Sequence, residues 1–240
     1  MADELKPEIK SDVTHETKVD KPITKERQQK TEKKKTSKPA SRPLVNFKLF
    51  GKWDSNIIVN DLGLRAYINL QPKLIPRSAG SLQKHRFHKS KINLVERLAL
   101  HLMVSGHQGK KHKLTSGRFG GGLITTLRAV EKALDIIEKT EKKNPVEVLV
   151  RAIENAALTE EIISYQMGSI MARDAVITAP QRRVDKALRN LAQGSYRSRF
   201  NKKLSISQSL ANEILGAYKG NEGFAVKEKE RIEREAMGAR

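Results

Sequence analysis

Cysteine is absent from the 240-residue chain, which excludes disulfides and cysteine-ligated zinc. Aromatic residues make up only 5%, with a single Trp, too few for a platform that stacks single-stranded bases along its length. No apolar run approaches the roughly 20 residues needed to span a bilayer, and no apolar stretch of a secretory signal opens the chain. These absences fit a cytoplasmic protein. Acidic residues are also short in supply: 27 Asp and Glu face 47 Lys and Arg, a formal net charge of +20. Self-repulsion of that size is unfavourable unless the protein works against a polyanion. A phosphate backbone is the first candidate, an anionic membrane surface the rival.

The charge is not spread evenly in kind. Residues 1–40 hold eleven Lys/Arg and eight Asp/Glu, net +3, with no aromatic residue. Such a segment buries too little apolar surface to offset its ordering entropy and is expected to be a disordered charged tail. The other 200 residues therefore carry +17 of the +20, so the basic excess belongs to the folded part. Residues 41–91 are expected to form an extended basic arm punctuated by Pro43, Pro72 and Pro76. A short helix after Asn60 or Asp61 would carry Leu64, Tyr67 and Ile68.

Residues 92–240 are expected to form one domain of about six helices. Ile92, Val95, Leu98, Ala99, Leu102 and Met103 trace one apolar helix face. A glycine- and lysine-rich stretch follows, then Leu123, Leu127, Val130, Leu134 and Ile137 in a 4-3-4-3 pattern. Asn144-Pro145 provides an N-cap and a first-turn proline for a helix burying Leu149, Val150, Ile153 and Ala156. The period then drops towards two between about 161 and 178, with Ile163, Tyr165 and Met167 on one face. Gly168-Ser169 suits a two-residue turn with Gly at the positive-φ position, so this is a protruding β-hairpin arm. A lone ribbon is marginal in water and needs something to lie against. Val184, Ala187, Leu188 and Leu191 mark a further helix closed by Gly194. Ser207 is expected to cap the next, which buries Leu210, Ile214 and Leu215. Phe224, Val226 and Ile232 anchor a charged terminal helix. The fold class is thus mainly α, with a hairpin, an extended segment and a tail.

No convergent catalytic site is legible. The six His residues (His15, His85, His88, His101, His107, His112) lie mostly among lysines, without Cys or nearby carboxylates to complete a metal site. No cofactor is implied, because the G-x-x-x-x-G-K-[ST] spacing is not met between Gly106 and Lys111. Gly120-Gly121-Gly122 ahead of a helix leaves two readings open, a backbone anion site or a flexible entry. What remains is cations in clusters. Lys84, Arg86, Phe87, His88, Lys89 and Lys91 form a basic strip with one aromatic, suited to phosphates and to one base or sugar. Lys110, Lys111, Lys113 and Arg118 form a second cluster. Arg173 on the second strand is followed by a third cluster at about 182–189 that includes Arg182 and Arg183, and Tyr196, Arg197, Arg199, Lys202 and Lys203 form a fourth. A fifth at 227–231 is diluted by Glu228, Glu230, Glu233 and Glu235 and reads as a solvated helix face. Helices gathered on one core would turn the first four into a footprint on a folded RNA. A helix-turn-helix DNA regulator would concentrate its cations on one recognition helix and dimerise. An RNA-modifying enzyme would need a cofactor loop or paired catalytic groups.

Several motifs, in this order, resemble the universal small-subunit ribosomal protein seven family in its archaeal and eukaryotic form. They are Leu49-Phe50-Gly51-Lys52-Trp53, Ser78-Ala79-Gly80, Arg86-Phe87-His88-Lys89 and Val95-Glu96-Arg97-Leu98. Asn144-Pro145 with Val148-Leu149-Val150, Ala179-Pro180-Gln181-Arg182-Arg183-Val184 and Phe224-Ala225-Val226-Lys227-Glu228-Lys229 complete the set. The resemblance implies a non-enzymatic protein that binds the 3′ major domain of 16S-type rRNA and nucleates assembly of the subunit head. It implies neighbouring proteins of the head and platform, no homo-oligomer, and a place at the subunit interface. The hairpin tip, Met167, Gly168, Ser169, Ile170 and Met171, would lie near the exit-site tRNA and the mRNA exit path. Arg86, His88, Lys89, Arg182 and Arg183 would touch rRNA by match to the motifs.

Overall fold

A computed structural model of the chain describes residues 47–108, 111–112, 121–220 and 223–240. Seven α-helices and two antiparallel strand pairs occur among them: α1 Leu62–Arg65, α2 Leu94–Leu102, β1 His107–Gln108, β2 Lys111–His112, α3 Leu123–Glu141, α4 Pro145–Ala156, β3 Glu160–Met167, β4 Ile170–Ile177, α5 Pro180–Arg199, α6 Ile206–Lys219 and α7 Phe224–Met237. Two 3-10 turns, Ser81–Gln83 and His88–Lys91, precede α2. Residues 1–46, and with them the expected tail, lie outside the described residues.

The apolar stripes meet where the helical period places them. Val95, Leu98, Ala99 and Leu102 of α2, Leu127, Val130, Leu134 and Ile137 of α3, and Leu149, Val150, Ile153 and Ala156 of α4 are all buried in one cluster. Val184, Ala187, Leu188 and Leu191 of α5 join them, with Leu210 and Ile214 of α6. Full burial of one such aliphatic side chain stabilises by about 1.5–3 kcal/mol before the cost of ordering it. α5 is central, packing against α1, α2, α4, α6 and α7.

The segment before α2 is irregular in backbone, yet its apolar residues reach the same core. Leu49, Trp53, Val59, Leu64 and Ile68 are buried there. Trp53 donates its indole N–H to Glu138 of α3 at 3.0 Å, and Lys52 pairs with Asp135 at 3.0 Å. Asn93 caps α2, accepting from the Val95 amide at 3.0 Å, while its side-chain amide donates to Gln71 O at 3.1 Å. Asn144 and Pro145 begin α4 as the spacing predicts.

Two helix boundaries differ from expectation. Ser205, not Ser207, caps α6 in a capping box with Gln208; Ser207 is inside the helix and buried. Both serines precede an apolar run, and the Gln three residues after Ser205 makes the reciprocal bond that Ser207 lacks. Gly194 does not close α5, which continues to Arg199. A Cβ at Gly194 would stand 2.7 Å from Glu213 Cδ and 2.8 Å from Phe224 Cβ. The glycine is there for close packing of α5 on α6 and α7.

The hairpin has eight residues per strand and pairs Met167 with Ile170 across a turn in which Gly168 has φ 60°. Its base lies on α7. Glu233 accepts from the Thr159 amide at 2.9 Å and hydroxyl at 2.7 Å, and Arg240 pairs with Glu160. Beyond Ser164 the ribbon is mostly exposed.

Candidate nucleic-acid interface

The strip Lys84–Lys91 folds back onto the first turns of α5, because its 3-10 turns are anchored at both ends. Asn69 donates to Lys91 O, and Lys89 pairs with Asp185 of α5 at 2.7 Å. Arg97, only 1% exposed, reaches the same carboxylate at 2.8 Å and also donates to Tyr67 O at 2.8 Å. His101 Nε2 stands 3.8 Å away. Burial alone would raise the Asp185 pKa, but nearby His101 and the hydrogen bonds from Arg97 and Lys89 outweigh it and hold the carboxyl well below the usual carboxylate range. Asp185 is therefore ionised and locally neutralised. It ties the strip, α2 and α5 together.

Around it opens a cleft of about 360 Å³ lined by Phe87, Lys89, His101, Ala179, Gln181, Arg182, Asp185, Lys186 and Arg189. Arg182, Lys186 and Arg189 recur at spacings of four and three, so they share one face of α5, opposite the buried Val184, Ala187 and Leu191. Partial burial, with Arg182 and Arg189 beside it, lowers the Lys186 pKa from its ordinary value. Arg182 and Arg189 repel the Lys186 charge, Glu161 and Glu228 offset part of that repulsion, and an anion between the cations relieves more of it. Ala179 offers α5 no side-chain cap, and Pro180 occupies its first position, so the N-cap residue leaves the first free amides of α5 without a side-chain acceptor.

A protein-family model described as ribosomal protein S7p/S5e matches residues 64–240. The chain belongs to that family. Curated relatives named small ribosomal subunit protein uS7 agree over nearly their whole length. The one from Nanoarchaeum equitans is 46% identical over 198 residues, 82% of this chain and 100% of the relative. Those from Methanococcus maripaludis and Methanococcoides burtonii are 44% and 39% identical over 200 and 196 residues, covering 82% and 81% of this chain and all of each relative. This S7p/S5e chain is a structural ribosomal protein, not an enzyme.

Within the S7p/S5e fold the predicted contact residues fall into distinct groups. Phe87 and Lys89 line the cleft together with Arg182, and Arg86 lies over the Phe87 ring. Lys84 and Lys91 are exposed on the same strip, and Lys91 Nζ lies 3.4 Å from His88 Nε2. Partial desolvation, then Lys91 and His85, lower the His88 pKa. Arg183 is turned inward: its Nε donates to Leu158 O at 2.7 Å and its Nη2 to Asp61 at 3.0 Å. Arg182 is largely exposed and pairs with Glu161 of the hairpin. Arg173 lies beside Ile162, Glu235 and Arg240 at the hairpin's flank on α7.

Tyr196, Arg197 and Arg199 sit in the last turn of α5, about 25 Å from its start at 1.5 Å per residue. Arg197 stacks over Phe224 at 5.4 Å, and Arg199 donates to Leu204 O at 3.1 Å. Lys202 and Lys203 are exposed just beyond. Met167, Ile170 and Met171 are exposed at the hairpin tip. Lys110, Lys113, Arg118 and Gly120 lie outside the described residues, and Lys111 is described only as a strand residue. Lys186 and Arg189 lie within the basic cluster expected at 182–189 but are not singled out there as contacts, though their spacing from Arg182 marks them. Neither is Asp185, because only the fold brings Lys89 and Arg97 to it. Among the described residues no cluster of three or more His, Asp or Glu could hold a metal. No helix among them is long and apolar enough to cross a membrane.

Proposed function

We propose that this protein is a primary rRNA-binding protein of the small subunit, contacting the 3′ major domain of 16S-type rRNA and nucleating assembly of the head. The observation that carries the proposal is the basic face joining the Lys84–Lys91 strip to Arg182, Lys186 and Arg189 of α5. Its cations are set on a rigid, deeply packed helix, which suits a pre-shaped phosphate surface more than a mobile partner. The similarity to uS7 proteins over four-fifths of the chain supports the subunit assignment. A cytoplasmic ribosomal location, head and platform proteins as neighbours, and no homo-oligomer belong to the same reading. So does a hairpin tip, Met167 to Met171, near the exit-site tRNA and the mRNA exit path; its exposed apolar side chains are what favour a partner there. Chemical footprinting of small-subunit rRNA with the purified chain is the test. Protections confined to the 3′ major domain are expected, and protections elsewhere or none would overturn the proposal.

A further inference from the structure

We propose that the cleft at the start of α5 is a subsite for one unpaired nucleotide of the rRNA, with its base stacked on Phe87 and its phosphate against Arg182, Lys186 and the first amides of α5. The inference rests on the rRNA-binding reading above and says how that site takes its ligand.

Three independent features converge there. Phe87 is 65% exposed although it belongs to a tightly held turn. It adopts φ 64°, a left-handed conformation that a bulky side chain rarely takes. The turn is pinned by Ser90, whose amide and hydroxyl both donate to Phe87 O, at 3.3 and 2.9 Å. Lys89, two residues on, is locked to Asp185. A strained aromatic held rigid in solvent is a pattern of functional sites. The Arg86 guanidinium lies 5.1 Å from the ring centroid, so two planar groups on which bases stack are already together.

The second feature is size. A cavity of about 360 Å³ admits one small ligand but no helix. Bases inside an A-form duplex have no free face for Phe87, whereas a base turned out of a loop or bulge does. The third feature is charge. Arg182, Lys186 and Arg189 stand on one wall, and Asp185, already bonded to Arg97 and Lys89, does not oppose an incoming phosphate. Gln181 adds an amide with both a donor and an acceptor, the chemistry of a base edge. An acidic peptide would use the cations but would leave the aromatic wall without a partner.

The test is equilibrium binding of the full-length chain to a small-subunit rRNA transcript across a salt series, paired with nucleotide-resolution chemical probing. Phe87→Ala is expected to weaken binding about 5- to 150-fold, the range for loss of one base stack, without changing the salt slope. Phe87→Trp is expected to restore it. Arg182→Ala is expected to lower the salt slope by about one. Probing is expected to show one unpaired nucleotide whose reactivity changes with wild type and with Phe87→Trp but not with Phe87→Ala. Phe87→Ala binding like wild type, with the same probing pattern, would overturn the subsite and leave rRNA binding intact. A wild-type chain that ignores the transcript would bring down both.

Discussion

Glu213 of α6 accepts a hydrogen bond from the backbone amide of Ala225 at 2.8 Å, so a buried carboxylate on one helix caps the start of the next. The Phe224 amide also bonds to it. α7 carries no side-chain cap of its own, because Gly223 precedes it. Glu213 does from outside what a Ser or Asp does from within.

Burial raises the Glu213 pKa more than the Ala225 and Phe224 amides and Lys227 lower it. A carboxyl with a raised folded-state pKa contributes stability that is fully present below its unfolded pKa and is lost as pH rises through the folded value. Glu213→Gln keeps an acceptor and cannot ionise. Urea unfolding of both proteins from pH 4 to pH 8 should therefore show wild type losing stability relative to Glu213→Gln as pH rises. A constant difference would contradict the assignment. Glu213→Ala, which strands the amides, should cost about 1–3 kcal/mol at the acid end of that range and less as pH rises.

Gly194→Ala should destabilise, although Ala favours helix by about 1 kcal/mol over Gly. The added Cβ would meet Glu213 and Phe224 at under 3 Å in a place where neither neighbour is loose. An overpacking cost of about 1–3 kcal/mol is expected, read as a lower urea midpoint at unchanged m-value.

Arg182 and Arg183 are adjacent but do different things. Arg183→Ala should lower stability by about 1.5–3 kcal/mol through loss of its bonds to Leu158 O and Asp61. Arg182→Ala should cost less, about 0.5–1 kcal/mol, because the guanidinium is half exposed although Glu161 beneath it is largely buried. Equal losses for the two variants would refute this division.

The outer hairpin should be dispensable for folding. Replacing residues 165–172 by Asn-Gly joins Ser164 to Arg173, which already face each other across the ladder. Helical circular dichroism should be unchanged, because the clamp on α7 through Thr159 and Glu233 is retained. Loss of the cooperative transition would show instead that the distal ribbon supports the core.

Most helices were legible because their apolar residues recur at 3.6-residue spacing, as Leu127, Val130, Leu134 and Ile137 show. The hairpin was legible from its alternation and from Gly168. What the spacing hid was side-chain use across the chain. Leu49 and Trp53 lie in irregular backbone, where no period announces burial. Gly194 resembles a helix stop until Glu213 and Phe224 are seen against it. The cation clusters were visible as composition, but Arg183 and Arg182 look alike until Leu158 O is found beside one of them. Asp185, a single acid among bases, acquires its meaning only from Lys89, Arg97 and His101.

The most direct measurement is the salt dependence of rRNA binding by the triple variant Arg182→Ala, Lys186→Ala, Arg189→Ala. These residues lie opposite the buried face of α5, so the variant should fold like wild type. Its plot of log affinity against log salt should be shallower by about two to three, close to one for each phosphate contact removed. A slope identical to wild type, with the fold intact, would contradict the claim that this face of α5 meets the RNA.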